Sequence, residues 1–264
     1  LGLAPASNVG LAIVADEETG SSKGIPHVLK NSDAFRKGDL IIVPDAGSPD
    51  GTEIEVAEKS VLWLKIKILG RQTHGSTPER GINAFKAGAY LAVKLDRLYA
   101  AFPEKNPLFV PPVSTFEPTK KDANVPNINT IPGEDVFYMD CRILPHYRLE
   151  DVEGRVQAAC RSIEKKFGVT ITTESMQRAK AAPPTPPGSA VVEALKRAIQ
   201  AVYQKESRPI GIGGGTVAAY FRREGFEAAC WSKIDDTAHQ PNEYCLIDNM
   251  VGDAKVFAHI MMQG

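Results

Sequence analysis

The sequence predicts an α/β domain interrupted by a compact α+β insert. Two apolar runs, Leu11-Ala12-Ile13-Val14-Ala15 and Leu40-Ile41-Ile42-Val43, read as buried strands, and each is followed at once by an acidic segment. Two breaks in the pattern divide the chain: one near Glu55 to Ser60, the other in the Pro-rich stretch Ala181-Ala182-Pro183-Pro184-Thr185-Pro186-Pro187-Gly188, which can sustain neither a helix nor a central strand. Between these breaks strand and helix patterns alternate. Residues 1–59 and 179–264 are expected to form the outer domain, and residues 60–178 the insert.

The insert opens with Val61-Leu62-Trp63-Leu64-Lys65-Ile66-Lys67-Ile68, whose alternation suits a strand with one covered face. A helix follows over about residues 83–102 and is stopped by Pro103. Asp135 to Ile143 reads as a strand, and Leu149-Glu150-Asp151 opens a second helix. Its Val152, Val156, Ala159, Cys160, Ile163 and Phe167 recur at helical spacing, and Gly168 suits the C-terminal cap. Val169 to Thr172 closes the set as a strand. In the outer domain, Ser189 to Gln204 is an amphipathic helix with Val192, Leu195, Ile199 and Val202 inward. Pro209 to Thr216 then leads through three consecutive glycines into a helix over residues 217–223.

At 264 residues the chain can bury a substantial core. Its 31 basic and 32 acidic residues nearly cancel, so neither a nucleic acid nor an anionic membrane is implied as a partner. No apolar run reaches the roughly 18 residues of a membrane span, and no signal peptide is evident. A cytoplasmic enzyme is expected. The cysteines Cys141, Cys160, Cys230 and Cys245 form no CxxC pair and read as buried, reduced thiols.

Candidate chemistry gathers at the strand exits. Asp16-Glu17-Glu18-Thr19-Gly20 places two adjacent carboxylates after the first apolar run, and side chains diverge along an extended segment, so one could hold a metal while the other faces a water. An acidic solvated turn is the competing reading. Pro44-Asp45-Ala46-Gly47 puts another carboxylate at the second strand's exit, and His239 precedes Gln240-Pro241 near the C-terminus, where a surface or capping histidine is the plainer explanation. Together these carboxylates and the imidazole suit zinc, cobalt or manganese, and no close spacing points to a structural zinc finger. The glycines 213–215 let backbone N–H groups approach a ligand, and with no lysine after them a carboxylate is a better guest than a phosphate.

Asp16-Glu17-Glu18-Thr19-Gly20-Ser21, Pro44-Asp45-Ala46-Gly47, Gly213-Gly214-Gly215-Thr216 and His239-Gln240-Pro241-Asn242-Glu243 together resemble the co-catalytic zinc peptidase family. That family includes acetylornithine deacetylase, succinyl-diaminopimelate desuccinylase, aminoacylase and glutamate carboxypeptidases. The resemblance implies a zinc-peptidase-like α/β catalytic domain carrying a ferredoxin-like lid through which the chain forms a homodimer. It makes Glu17 the general base, Glu18 and His239 ligands of one metal and Asp45 a ligand of the other. It makes His74, in Gly70-Arg71-Gln72-Thr73-His74-Gly75-Ser76-Thr77-Pro78, the lid histidine that reaches the partner subunit's site and stabilises the oxyanion. Asn129, Arg142 and the backbone of Gly214, Gly215 and Thr216 would anchor a substrate carboxylate; plain turns at His74 and Asn129, and a structural Asp140–Arg142 pair, are the competing readings. Asn242 and Glu243 read as helix-entry residues.

The family's earlier His-x-Asp strand motif and its later bridging Asp are not in this sequence. The expected catalytic domain is therefore incomplete at its N-terminus. Two divalent metals, zinc or cobalt, are implied for the intact enzyme, and one or none for this chain. The implied function is removal of an acyl group from a small N-acyl amino acid by metal-activated water, as in the deacetylases and desuccinylases of amino-acid biosynthesis. The alternatives are a dipeptidase or carboxypeptidase of the same family, or a catalytically inactive dimerising fragment.

Overall fold

A computed structural model describes residues 4–21 and 23–263. In chain order the elements begin with α1 (Ile25–Asn31), β1 (Ile41–Ser48), β2 (Glu53–Glu58), β3 (Ser60–Leu69) and β4 (Thr73–His74). Next come α2 (Ala84–Leu95), α3 (Arg97–Ala101), β5 (Thr115–Lys121), β6 (Thr130–Ile131), β7 (Glu134–Ile143), α4 (Leu149–Phe167) and β8 (Thr170–Ala179). The chain closes with α5 (Ala190–Tyr203), β9 (Arg208–Ile212), α6 (Ala218–Arg223), β10 (Ala228–Lys233) and α7 (Ile247–Met261). Two compact units result: residues up to Glu58 together with those from Ala182 onward, and Lys59–Ala181. Among the described residues no helix is long and apolar enough to cross a membrane.

The inserted unit follows from its alternating strand. Leu62, Leu64, Ile66 and Ile68 point to one face of β3 and are buried, whereas Trp63 and Leu69 on the other face are exposed. β3 pairs antiparallel with both β7 and β8, and β5 pairs antiparallel with β7, giving the sheet order β5-β7-β3-β8. The connectivity is therefore β-α-β-β-α-β, the ferredoxin-like arrangement. α2 and α4 pack against each other and against this sheet. From α2 come Ala84, Ala87, Leu91 and Leu95; from α4 come Val152, Val156, Cys160 and Ile163, all in one core. Gly168 ends α4 in the left-handed region, φ 70°, with its N–H on the Glu164 carbonyl.

Three expectations change here. The helix placed over residues 83–102 is two, α2 and α3, meeting at Asp96. β5 was not anticipated: Thr-Phe-Glu-Pro-Thr-Lys-Lys buries only Phe116, and its proline is tolerated because β5 is an edge strand. The first crossing falls between Glu58 and Lys59, inside the range Glu55 to Ser60 read from the sequence, and it joins β2, buried from Ile54 onward, directly to β3. Of the four thiols, Cys245 is exposed.

The outer unit holds a mixed sheet of order β1-β10-β2-β9. β1 runs parallel to β10, β10 antiparallel to β2, and β2 parallel to β9. Leu11–Ala15 is not a strand of it. Leu11 and Ile13 are 86% and 88% exposed, and only Val14 packs, partly buried, beside Ile25, Ile41 and Phe221. A strand needs a neighbour to take its backbone donors and acceptors, and no described strand runs alongside this segment. β1, by contrast, continues past Val43 to Ser48, so Pro44 to Gly47 lie within the strand rather than beyond it.

Candidate functional site

The acidic turn is folded rather than extended. Asp16 sits in the left-handed region, φ 74°, and Glu17–Thr19 form a single 3-10 turn closed by Gly20 at φ 95°. The Asp16 carboxylate accepts the Lys23 N–H at 2.8 Å and the Thr19 hydroxyl, which braces the turn from within. From outside, the Tyr220 hydroxyl of α6 donates to the Gly20 carbonyl at 2.8 Å. Asp16 is thus a scaffold residue, and Glu17 and Glu18 are the carboxylates the turn presents.

Asp45 is aimed by a bulge. Val43 pairs with Cys230 and Gly47 with Ser232, so four steps along β1 match two along β10. The surplus lifts residues 44–46 out of register, which is how a bulge re-aims a side chain. Pro44 has no N–H to lose there, and the Ala46 N–H donates to Cys230 Sγ at 3.2 Å. Gly47 is obligatory: a Cβ at that position would stand 1.7 Å from the Ser232 carbonyl oxygen.

The structure brings Glu17, Glu18, Asp45 and His239 into one neighbourhood of the outer unit, close enough to act on one another. Partial burial first, then the fields of Asp45 and Glu18, hold the Glu17 carboxyl above its ordinary range, and His239 opposes them. Asp45 is raised by desolvation and by Glu18, again against His239. His239 lies in a left-handed conformation, φ 61°, with its backbone N–H on Glu243 Oε2 at 3.1 Å. Glu243 therefore orders the histidine's backbone, a role the sequence did not suggest.

Three carboxylates and an imidazole are the right donors for a divalent cation, and the crowding that raises Glu17 and Asp45 is what a cation would relieve. Among the described residues no three such side chains close into a group able to hold an ion.

The glycine segment joins β9 to α6. No heavy atom lies within 4 Å of a Cβ built at Gly213, Gly214 or Gly215, so their backbone is approachable. Thr216 differs. It is buried, its N–H lies 3.4 Å and its Oγ1 3.5 Å from Glu58 Oε1, and the hydroxyl accepts the Ala218 N–H at 3.2 Å. Its N–H is engaged within the protein and is not presented to a ligand.

In the inserted unit His74 and Asn129 meet. β4 and β6 pair His74 with Thr130, and the Gly75 N–H donates to the Asn129 carbonyl at 2.6 Å. His74 Nδ1 lies 2.7 Å from the Ser76 hydroxyl and 3.2 Å from the Ser76 backbone nitrogen, so Ser76 holds that side of the ring. Arg142 is elsewhere. Its Nε and Nη2 grip Asp140 at 2.6 and 2.9 Å, and its guanidinium lies 5.6 Å from the Trp63 ring centroid. The Asp140–Arg142 pair that the sequence offered as a competing reading is present. The His74–Asn129 ribbon adjoins the Gly133 end of β7, where Gly133 accepts the Gly70 N–H. Arg142 is eight residues along β7 from Glu134, about 27 Å at strand rise. One lid does not bring Arg142 to His74 and Asn129.

An α/β unit whose loops carry carboxylates and an imidazole is thus interrupted by a β-α-β-β-α-β unit. Residues 56–167 match the peptidase dimerisation domain. The chain is 44% identical to an uncharacterised metallohydrolase of Methanococcus maripaludis, over 97% of this chain and 66% of that protein. It is 23% identical to the succinyl-diaminopimelate desuccinylase of Aliarcobacter butzleri, over 96% of this chain and 67% of that one. The crystal structure of aminopeptidase PepT from Bacillus cereus shares the fold, with TM-score 0.72 at 18% identity over 94% of this chain and 62% of that one. The chain belongs to the peptidase family that carries this dimerisation domain, the family its motifs resemble, and it spans about two-thirds of its metallohydrolase relative's length.

Proposed function

We propose that the whole protein is a metal-dependent amidohydrolase that removes an acyl group from a small N-acyl amino acid. The observation that carries this reading is the convergence of Glu17, Glu18, Asp45 and His239, with Glu17 and Asp45 both raised by partial burial and neighbouring carboxylate charge. Glu18, Asp45 and His239 are the residues that would hold metal. Zinc or cobalt there would polarise the amide carbonyl and acidify water. Glu17 takes the proton from the attacking water and delivers it to the leaving nitrogen; its upward shift moves it toward the pH at which a carboxylate both accepts and returns a proton.

His74, its Nδ1 side held by Ser76, donates to the oxyanion. The N–H groups of Gly214 and Gly215, with Asn129 and Arg142, anchor the substrate carboxylate. Thr216 supports that segment from behind instead of contacting substrate. The separation of His74 and Asn129 from Arg142 within one lid favours assembly of each site from two copies, in a homodimer made through the lid. The desuccinylase relative supports an N-acyl amino acid as the substrate class.

The test uses the full-length protein with added zinc or cobalt and a panel of N-acyl amino acids. Glu17→Gln should lower kcat by about 10²–10⁴-fold and leave metal content unchanged, because it removes proton transfer and no ligand. Glu18→Ala should deplete bound metal. Metal loss in Glu17→Gln would mean that the two roles are exchanged, and an inactive wild type across the panel would refute the reading.

A further inference from the structure

β2 is buried from Ile54 onward yet carries two acids, Glu55 and Glu58. Strict alternation would send residues three apart to opposite faces. The register of β2 against β9 slips between Glu55 and Ala57, and both carboxylates reach one partner. Arg222 Nη2 donates to Glu55 Oε1 and Oε2 at 2.8 and 3.1 Å and to Glu58 Oε1 at 2.8 Å. All three side chains are at most 3% exposed. A buried ionic cluster is weak support for stability, since well-packed apolar residues do as well or better. Its neighbours indicate another use.

Glu58 touches both ends of the glycine segment. Its backbone is in register with Ile212, the last residue of β9, and its carboxylate faces the N–H and hydroxyl of Thr216. Between these points stand only Gly213, Gly214 and Gly215, which have the widest backbone freedom of any residue. Arg222, on the helix that follows, holds the carboxylate in place from behind.

We propose that Glu58, clamped by Arg222, is a positioning residue that fixes the 213–216 segment so that the Gly214 and Gly215 N–H groups stay oriented for the substrate carboxylate. This rests on the assignment of those N–H groups made above. Glu58 touches no substrate and acts through Thr216.

The experiment compares wild type, Glu58→Met and Thr216→Val in the full-length protein. Hydrogen–deuterium exchange is read for residues 213–216, and kcat and KM are read for an N-acetyl amino acid and for its methyl ester, which lacks the carboxylate. In Glu58→Met, which keeps the unbranched shape but offers no oxygen acceptor, exchange in the segment should rise about tenfold while β9 and β10 stay protected. KM for the free acid should rise about tenfold with kcat within about twofold, and KM for the ester should not move. Wild-type exchange in the segment, or exchange raised equally across β2, β9 and β10, overturns the proposal. Should Glu58→Met fail to fold, Thr216→Val removes the hydroxyl contact and leaves the N–H one, so exchange in the segment should rise by a smaller factor, and an unchanged exchange there overturns the proposal equally. Faster exchange with unchanged KM for both substrates upholds the positioning and overturns the carboxylate anchoring beneath it.

Discussion

Glu55 makes the outer unit sensitive to pH in a direction opposite to that of most carboxylates. Burial pushes its pKa from 4.5 to about 8, the Glu58 charge adds to the rise, and Arg222 offsets part of it. Between those two values the folded protein keeps the Glu55 proton and the unfolded chain releases it. Folding then takes up a proton, so stability is full below the unfolded pKa and is lost as pH rises toward the folded one, at about 1.4 kcal/mol per pH unit. Over the interval from about pH 5 to about pH 7 the loss comes to about 3 kcal/mol. Glu55→Gln keeps the shape and an acceptor for Arg222 and removes the titration. Urea unfolding of wild type and variant at pH 5, 6 and 7 should therefore show the variant gaining on wild type by about 3 kcal/mol across the series. A constant difference refutes the reasoning. A difference that grows toward low pH would mean that Glu55 is ionised in the fold and paired with Arg222.

Gly47→Ala should cost about 1–3 kcal/mol and weaken zinc binding, because its Cβ would stand 1.7 Å from the Ser232 carbonyl and β1 must leave β10, taking Asp45 with it. Calorimetric zinc titration and denaturation report the two effects, and wild-type values in both would remove the bulge from the account. Mixing His74→Ala with Glu17→Gln chains should restore up to about a quarter of wild-type activity, since half the dimers are hybrids and each has one intact site. A mixture as inactive as its parents would place His74 in its own subunit's site.

The elements legible in the sequence were those whose burial is set by local periodicity. β3 and α4 announce themselves because every second or every third-to-fourth residue enters one core. β2 was missed for the opposite reason: Glu55 and Glu58 read as solvent-facing, and the residue that compensates them, Arg222, is 167 and 164 positions away. Leu11–Ala15 shows the converse failure, an apolar run with no described neighbour to pair it. In the site, short motifs marked Glu17, Glu18, Asp45 and His239, but the bulge that aims Asp45 depends on Cys230 and Ser232 in a distant strand. The Thr216 N–H was expected to face a ligand, and only the position of Glu58 shows otherwise.

The order in which this sheet can be completed follows from its pairings. β1 and β2 are made early in the chain, yet Ile41 pairs with Ala228 and Ile54 with Pro209. During synthesis at about 5–20 residues per second, the apolar strand Ile54 to Ala57 waits roughly ten to thirty seconds for its neighbours. The inserted unit closes its own strands in the interval, because its contacts are nearer in sequence and loop closure is correspondingly faster. A nascent chain would thus carry a finished ferredoxin-like unit behind an unpaired apolar strand, the kind of surface that chaperones cover and that aggregation exploits. Substitutions that slow the emergence or folding of β9 and β10 would lower the yield of soluble protein before they lowered the stability of the finished fold.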